Sequence, residues 1–246
     1  GPFQLIKEVN CLRKMLKVNM TGFESCEYLL PLKASTSLVP LKSVDSDLNY
    51  HLLLTQDICH GLTTITLSSP LQLYNGLTYP LNVFYSKNEY AAIGGKQIGV
   101  STNPFDDKVR LMTVEPDQTV AIPLHVAYNC QLYFQPATLE YHVSDKGLWW
   151  KDFVSKQMPY SQIICHGSAD QGHVFSFLIY SQDVKVSDQT EVKKDTPMFC
   201  FKIVPGFTVY NNLPYGMEVA LPNGHEIRLE AGEFSHVQSL NVLEKR

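Results

Sequence analysis

Charge is scarce in this chain: Asp, Glu, Lys and Arg make up 18% of 246 residues, with a formal net charge of −4. No window carries a long basic run, so a nucleic-acid surface is disfavoured. Arg13, Lys14 and Lys17 form only a small patch, read as a solvated face. Long apolar runs are missing too. None approaches the roughly 18–20 residues that a membrane-spanning helix needs. No G-x-S-x-G occurs to place a hydrolase nucleophile. The glycines at Gly94-Gly95 and Gly206 lack the following helix pattern of a phosphate loop. Cysteine is sparse and irregularly placed, at 11, 26, 59, 130, 165 and 200. A chain of this length has little need of staples, so these read as small buried apolar residues in a reducing compartment. Asn19-Met20-Thr21 fits a glycosylation acceptor, a motif short enough to arise by chance.

What the chain does hold is aromatic and β-forming. It has 13 Tyr, 12 Phe and 2 Trp, and many Val, Thr and Ile residues. Short apolar runs bounded by Gly, Pro, Asn and Asp fall at 28–32, 49–55, 62–67, 71–74, 81–85, 109–114, 120–127, 130–135, 175–181, 198–204, 207–210 and 226–229. Several alternate apolar and polar side chains, as in Gln131-Leu132-Tyr133-Phe134. This pattern predicts an all-β protein, with sandwiches favoured over a barrel. One stretch dissents: between Leu5 and Lys17 apolar residues recur at a spacing that suits a short helix or a strand.

The sequence also repeats itself. Residues 71–83, LQLYNGLTYPLNV, return at 207–219 as FTVYNNLPYGMEV. Tyr74, Asn75, Leu77, Tyr79 and Val83 fall on Tyr210, Asn211, Leu213, Tyr215 and Val219. Upstream, Leu52–Asp57 (LLLTQD) matches Leu178–Asp183 (LIYSQD). Downstream, Val114-Glu115-Pro116-Asp117 lies on Leu229-Glu230-Ala231-Gly232. Ser37–Leu41 also resembles Val120–Leu124. The expected organisation is tandem β-sandwich-like modules: an abbreviated unit at 3–57, a complete one at 58–183 and the opening half of a third at 184–246. Ile58-Cys59-His60-Gly61 recurs at 164–167 but out of phase with the rest, and is read as coincidence.

Each signature places Asn where a strand ends. Asn tolerates turn backbone and bonds local backbone groups through its amide. A buried amide must be satisfied, and the backbone of an adjacent loop is its natural partner. Two roles stay open: a staple within each module's own fold, or a row of asparagines lining a ligand groove.

The segments PLQLYNGLTYPLNV, AIPLHVAYNCQLYFQP and GLWWKDF, followed by KIVPGFTVYNNLPYGMEV, resemble the adaptor-binding repeats of the vacuolar protein sorting thirteen family of bridge-like lipid transfer proteins. The resemblance covers about 58–246 well and 1–57 poorly, and the wording suggests a divergent paralogue, the Golgi-associated B form. It implies a string of β-rich modules, each with one characteristic Asn. Asn75 and Asn211 are then the repeat asparagines, with Asn19 in KVNMTGF a third. It further implies capture of short Pro-x-Pro motifs in organelle adaptor proteins. The protein would be cytoplasmic and peripheral at Golgi or endosome contact sites. The family's Arg-Pro and Trp-Ser pairs are replaced here by Gln135-Pro136 and Trp149-Trp150-Lys151, so no role carries over to those positions. An extended Pro-bearing peptide fits an exposed sheet edge.

Other chemistry is weaker. Zinc could use Cys165, His166 and His173, or Cys59 and His60, but adjacent strand residues point to opposite faces and chelate poorly. Asp106-Asp107 reads as a solvated turn. Of Trp149 and Trp150, one reads as core and the other as partly exposed. No catalytic residue, metal site or cofactor is assigned. The competing classes are a membrane-surface or lipid-binding β domain and, third, a secreted disulfide-bonded recognition domain.

Overall fold

The computed structural model describes residues 15–44, 49–92, 107–138, 140–155, 160–169, 173–186, 196–221, 224 and 226–237. Among them are 17 strands and three short helices, so the all-β expectation holds. The chain falls into two compact units. One comprises residues 1–70 and 184–198, the other 71–183 and 199–246.

In the first unit, β1 (Met15–Val18) pairs antiparallel with β2 (Cys26–Leu29). A three-stranded antiparallel sheet follows in the order β3 (Ser35–Lys42), β4 (Asn49–Cys59), β5 (Leu62–Ser68). Pro40 sits within β3, which is tolerable because β3 is an edge strand and the missing N–H costs no ladder bond on its open side. His60 and Gly61 turn β4 into β5 in left-handed backbone, at φ 50° and 80°. Val39, Leu41, Tyr50, Leu52 and Leu54 form the buried face, with Phe23 edge-on to Tyr50 at 5.4 Å. Of the Leu5–Lys17 stretch, residues 15–17 belong to β1 and the remainder lies outside the described residues.

The second unit faces two sheets against each other. One has the order β10 (Leu132–Pro136), β7 (Leu81–Ser86), β8 (Lys108–Val114). The other runs β11 (Tyr160–His166), β12 (Val174–Asp183), β13 (Phe199–Pro205), β6 (Gln72–Asn75), β9 (Thr119–Ala121). Phe134 on β10 meets Phe177 on β12 edge-on at 5.9 Å, and the Cys165 thiol on β11 donates to the Phe134 carbonyl at 3.3 Å. Every residue of central β7 is buried, its polar Asn82 accepting from Thr113 Oγ1 and its Ser86 donating to Asp107. All pairings are antiparallel except β13 with β6, where Cys200–Ile203 run parallel to Gln72–Asn75.

The run at 120–127 is only half strand. Pro123 (φ −51°, ψ 137°) lacks the N–H to continue β9 and opens the helix α2 (Leu124–Asn129). Two more short helices, α1 (Lys87–Ala92) and α3 (Trp150–Ser155), also gave no apolar-run signal. The unit ends in a smaller arrangement. There β14 (Phe207–Tyr210) pairs with β17 (Phe234–Val237), and β15 (Met217–Ala220) with β16 (Glu226–Leu229). Leu221, Ile227, Leu229 and Val237 form its core. Glu218 and Arg228, opposite each other on β15 and β16, make an ion pair.

Candidate functional site

Strand β6 ends at Asn75, whose side chain is completely buried. Its Nδ2 donates to the Tyr79 carbonyl and to the Val114 carbonyl, each at 2.9 Å, and its Oδ1 accepts from Leu77 N–H at 3.0 Å. One amide therefore closes its own turn and ties it to the end of β8. Both N–H donors are spent on backbone carbonyls, so no isosteric acid can replace it. The main chain adds a second clasp: Asn75 N–H donates to Gln118 O at 3.0 Å, and Asp117 N–H returns a bond to Asn75 O at 2.7 Å.

Asn211 repeats this arrangement at the end of β14. It is 1% exposed, donates to the carbonyls of Tyr215 (2.9 Å), Leu229 (3.0 Å) and Glu230 (2.9 Å), and accepts from Leu213 N–H at 3.0 Å. Its N–H donates to Glu233 O at 2.8 Å, and Gly232 N–H donates to Asn211 O at 2.9 Å. The turns that receive the two asparagines also match. Residues 115–118 and 230–233 each close through a 3.1 Å backbone bond. In each, the last side chain reaches back to the first N–H: Gln118 Oε1 to Glu115 at 3.0 Å, Glu233 Oε2 to Glu230 at 2.8 Å. The third turn residue is left-handed in both, Asp117 at φ 58° and Gly232 at φ 79°. Sequence reasoning aligned 114–117 with 229–232 and stopped one residue short of the Gln118–Glu233 pair, which a polar chain three residues after Glu would have marked.

Asn19 is placed differently. It follows β1 on the surface and is exposed. The structure thus brings Asn75 and Asn211 into one geometry and leaves Asn19 outside it.

The surroundings of the two buried asparagines diverge. Beside Asn75 lies β13, so close that Gly76 N–H donates to Ile203 O at 2.8 Å. A Cβ on Gly76 would meet that same oxygen at 2.8 Å, so only glycine fits. The Tyr74 hydroxyl donates to Asp117 Oδ1 at 2.9 Å, and Lys202 Nζ stands 4.3 Å above the ring. The bond to Asp117 raises the Tyr74 pKa. Tyr79 is edge-on to Phe175 at 6.0 Å. Beside Asn211 no strand pairs with β14 other than β17 among the described residues. Phe207, Tyr210, Leu213, Tyr215 and Phe234 are exposed there, with Tyr210 and Phe234 5.5 Å apart.

Elsewhere the chemistry is sparse. Cys26, Cys59, Cys130, Cys165 and Cys200 are free thiols. Burial pushes Cys130 and Cys165 up to about 12. Cys165 is buried and His166 exposed. Cys59 Sγ lies 3.0 Å from His60 Nδ1 at the exposed β4–β5 tip, whereas 164–166 lie within β11, so the repeated Ile-Cys-His-Gly words sit in unlike structures. Among the described residues no three His, Cys, Asp or Glu side chains gather to hold a metal. Asp107 is not a free solvated carboxylate: it accepts from Ser86 Oγ at 2.6 Å and from Asn88 N–H at 2.9 Å, capping α1. Trp150 is buried and Trp149 half-buried. Among the described residues no helix is long and apolar enough to cross a membrane.

The arrangement suits holding rather than reacting: stapled strands, and, among the described residues, a β14 edge with exposed aromatic side chains beside it. No curated protein matches the chain. A family profile does, over residues 95–243, described as the adaptor binding domain of vacuolar-sorting associated protein 13. That match spans more than half of the chain and takes in the second asparagine staple and its open edge. The chain belongs to this adaptor-binding family.

Proposed function

We propose that the chain captures short Pro-x-Pro-bearing segments of an organelle adaptor protein by strand addition. Capture would recruit a lipid transfer protein, the Golgi-associated B form of the family, to Golgi or endosome contact sites from the cytoplasmic side. The observation that carries this reading is the edge of β14. Among the described residues it pairs with β17 on one side only, and Tyr210, Tyr215 and Phe234 stand exposed around it. An extended peptide adds main-chain bonds along such an edge, and its prolines, which cannot donate, face away from the ladder. Aromatic faces supply the apolar contact that proline rings favour. On this reading the chain holds an abbreviated repeat at 3–57, a complete one at 58–183 and the opening half of a third at 184–246. Asn75 and Asn211 brace strands rather than touch the peptide.

The test is a titration of the purified chain with a labelled Pro-x-Pro peptide, beside its Pro→Ala control and the Tyr210→Lys variant. Saturable binding that both changes abolish is the expected result. Equal binding of the control peptide, or binding to liposomes with no response to peptide, overturns the reading and favours a membrane-surface domain.

A further inference from the structure

The buried face of β3 and β4 is apolar through Leu41, Tyr50, Val39, Leu52 and Leu54, and then changes character. At its far end Ser37 faces Leu54 and Ser35 faces Gln56. Residues two apart on a strand lie on one side of the sheet, as do residues directly opposite on its neighbour. The registers therefore gather Ser35, Ser37 and Gln56 on this one face. Ser37 is 2% exposed and Gln56 3%.

Polar groups buried to this degree normally hold hydrogen-bond partners. The Gln56 amide is only half used. Its Nε2 donates to the Pro31 carbonyl at 2.9 Å, which fixes the amide and turns Oε1 the other way. Among the described residues no group donates to Gln56 Oε1, and the buried Ser35 Oγ and Ser37 Oγ have no partner either. Two hydroxyls able to donate thus stand beside one carbonyl oxygen that can only accept. The repeated LLLTQD word does not itself demand this. Gln182, the counterpart of Gln56, is exposed, and Tyr160 opposite Tyr180 takes the place of Ser37 opposite Leu54. The cluster belongs to the first unit alone.

The chemistry of the three oxygens selects what they hold. A cation is a poor fit, because all three are neutral and the adjacent acid, Asp57, lies on the opposite face and is exposed. A water accepts from both hydroxyls and donates to the amide oxygen, making the three bonds typical of a buried water. The reach is also right. One water spans about 5.5 Å between two oxygens. Same-face neighbours on a strand are about 6.7 Å apart, so hydroxyls turned toward each other meet it. We infer that Ser35 Oγ, Ser37 Oγ and Gln56 Oε1 bind one long-lived internal water. It joins edge strand β3 to β4 at the residue where Gln56 already ties β4 to the 30–34 loop. Loop, edge and sheet centre are then pinned at one point, independently of peptide capture and of the asparagine staples.

The test counts long-lived waters by oxygen-17 relaxation dispersion on the intact chain, beside urea unfolding. The parent should hold one more such water than Ser37→Val, whose methyl groups replace the hydroxyl and take up its space. Ser37→Ala should lower the folded-to-unfolded ratio of the first unit about fivefold, since the water loses a partner. Ser35→Ala and Ser37→Ala together should cost less than their sum, because a shared water is lost only once. Equal water counts in the parent and a folded Ser37→Val overturn the proposal. A Ser37→Ala chain that unfolds at higher urea than the parent does so too, since that is the result for an unpartnered hydroxyl. Strict additivity of the two alanines overturns the sharing, and this cycle decides the matter even where Ser37→Val does not fold.

Discussion

Around Asn75, Leu71 and Leu77 are each 2% exposed, while around Asn211 their counterparts Phe207 and Leu213 are 43% and 45% exposed. Yet both asparagines bond the same set of turn and strand-end backbone groups at 2.9–3.0 Å. The staple is therefore set by the local sequence, Asn with a left-handed turn some 20 to 40 residues later, and does not depend on what lies over it. The surroundings of Asn75 are a separate, long-range contribution: β13 pairs with β6, and Phe175 of β12 stands edge-on to Tyr79. Separating the two explains how one short word can recur with its geometry intact and its surface reversed.

The largest test of this separation is Asn→Asp. At Asn75 the substitution turns two donated hydrogen bonds into a carboxylate facing the carbonyls of Tyr79 and Val114. A buried, unpaired charge of this kind costs roughly 3–5 kcal/mol. A thermal melt of Asn75→Asp should show the whole second unit destabilised. Asn211→Asp makes the same local error, but its effect should stay within 207–237. Hydrogen exchange should then find those amides open while β11 and β12 remain protected. Equal global loss from both substitutions would break the comparison.

Next in size is the cover itself. Leu77→Ala removes a fully covered side chain and should cost about 2–5 kcal/mol. Leu213→Ala, at the matching but exposed position, should stay within about 0.5 kcal/mol. Denaturant midpoints at unchanged slope would measure both. A large loss at Leu213 would mean that a cover lies over the second copy as well.

The thiols sharpen the comparison through pH. Cys165 on β11 and Cys130, between α2 and β10, are both pushed up to about 12 by burial, and 207–237 holds no cysteine. Folded, these thiols keep their protons above the ordinary thiol pKa of about 8.5, where the unfolded chain has released them. Their contribution is complete below that value and is lost as pH rises toward 12. Alkaline titration should therefore weaken the β10–β11 region and leave the second copy unchanged until its own groups titrate. Exposed Cys59 should react with iodoacetamide at pH 8, and Cys165 should not.

Local features were legible in the sequence, while features made by distant partners were not. Strands 207–210 and 226–229 could be read to the residue because the first is an apolar run and the second alternates charged and apolar side chains, both closed by turn residues. The match of Glu115–Asp117 to Glu230–Gly232 was visible as well, since the same turn chemistry needs the same residue classes. Strand β3 was missed because Pro40 reads as a breaker unless the strand is known to lie on an edge. Strand β11 was missed because its polar Ser161 and Gln162 are buried by the second unit's other strands. That β13 lies parallel to β6 has no local signal at all. It follows from a pairing between segments more than 100 residues apart, of which Gly76 is the one trace, and a glycine alone does not say what approaches it.

The smallest effect concerns the left-handed turn residue. Gly232 has open space where a Cβ would go, with no atom within 4 Å, so only its backbone angle resists substitution. Gly232→Asp should then cost about 1 kcal/mol or less, because Asp is one of the few side chains that visit this region. Gly232→Val should cost more, since a β-branched residue strains there. The reverse change, Asp117→Gly, relieves the same strain but gives up the Tyr74 hydroxyl bond. That bond is exposed to solvent, so the two nearly cancel and the melting midpoint should stay where it is. The swap carries a second readout. Removing Asp117 should let the Tyr74 pKa fall back toward its ordinary value, because the bond to Asp117 is the leading cause of its rise. Stability unchanged with a shifted tyrosine titration would show that Asp117 is a property of the cover, added beside Lys202 and Tyr74. A loss as large as that of Gly232→Val would instead make it part of the staple.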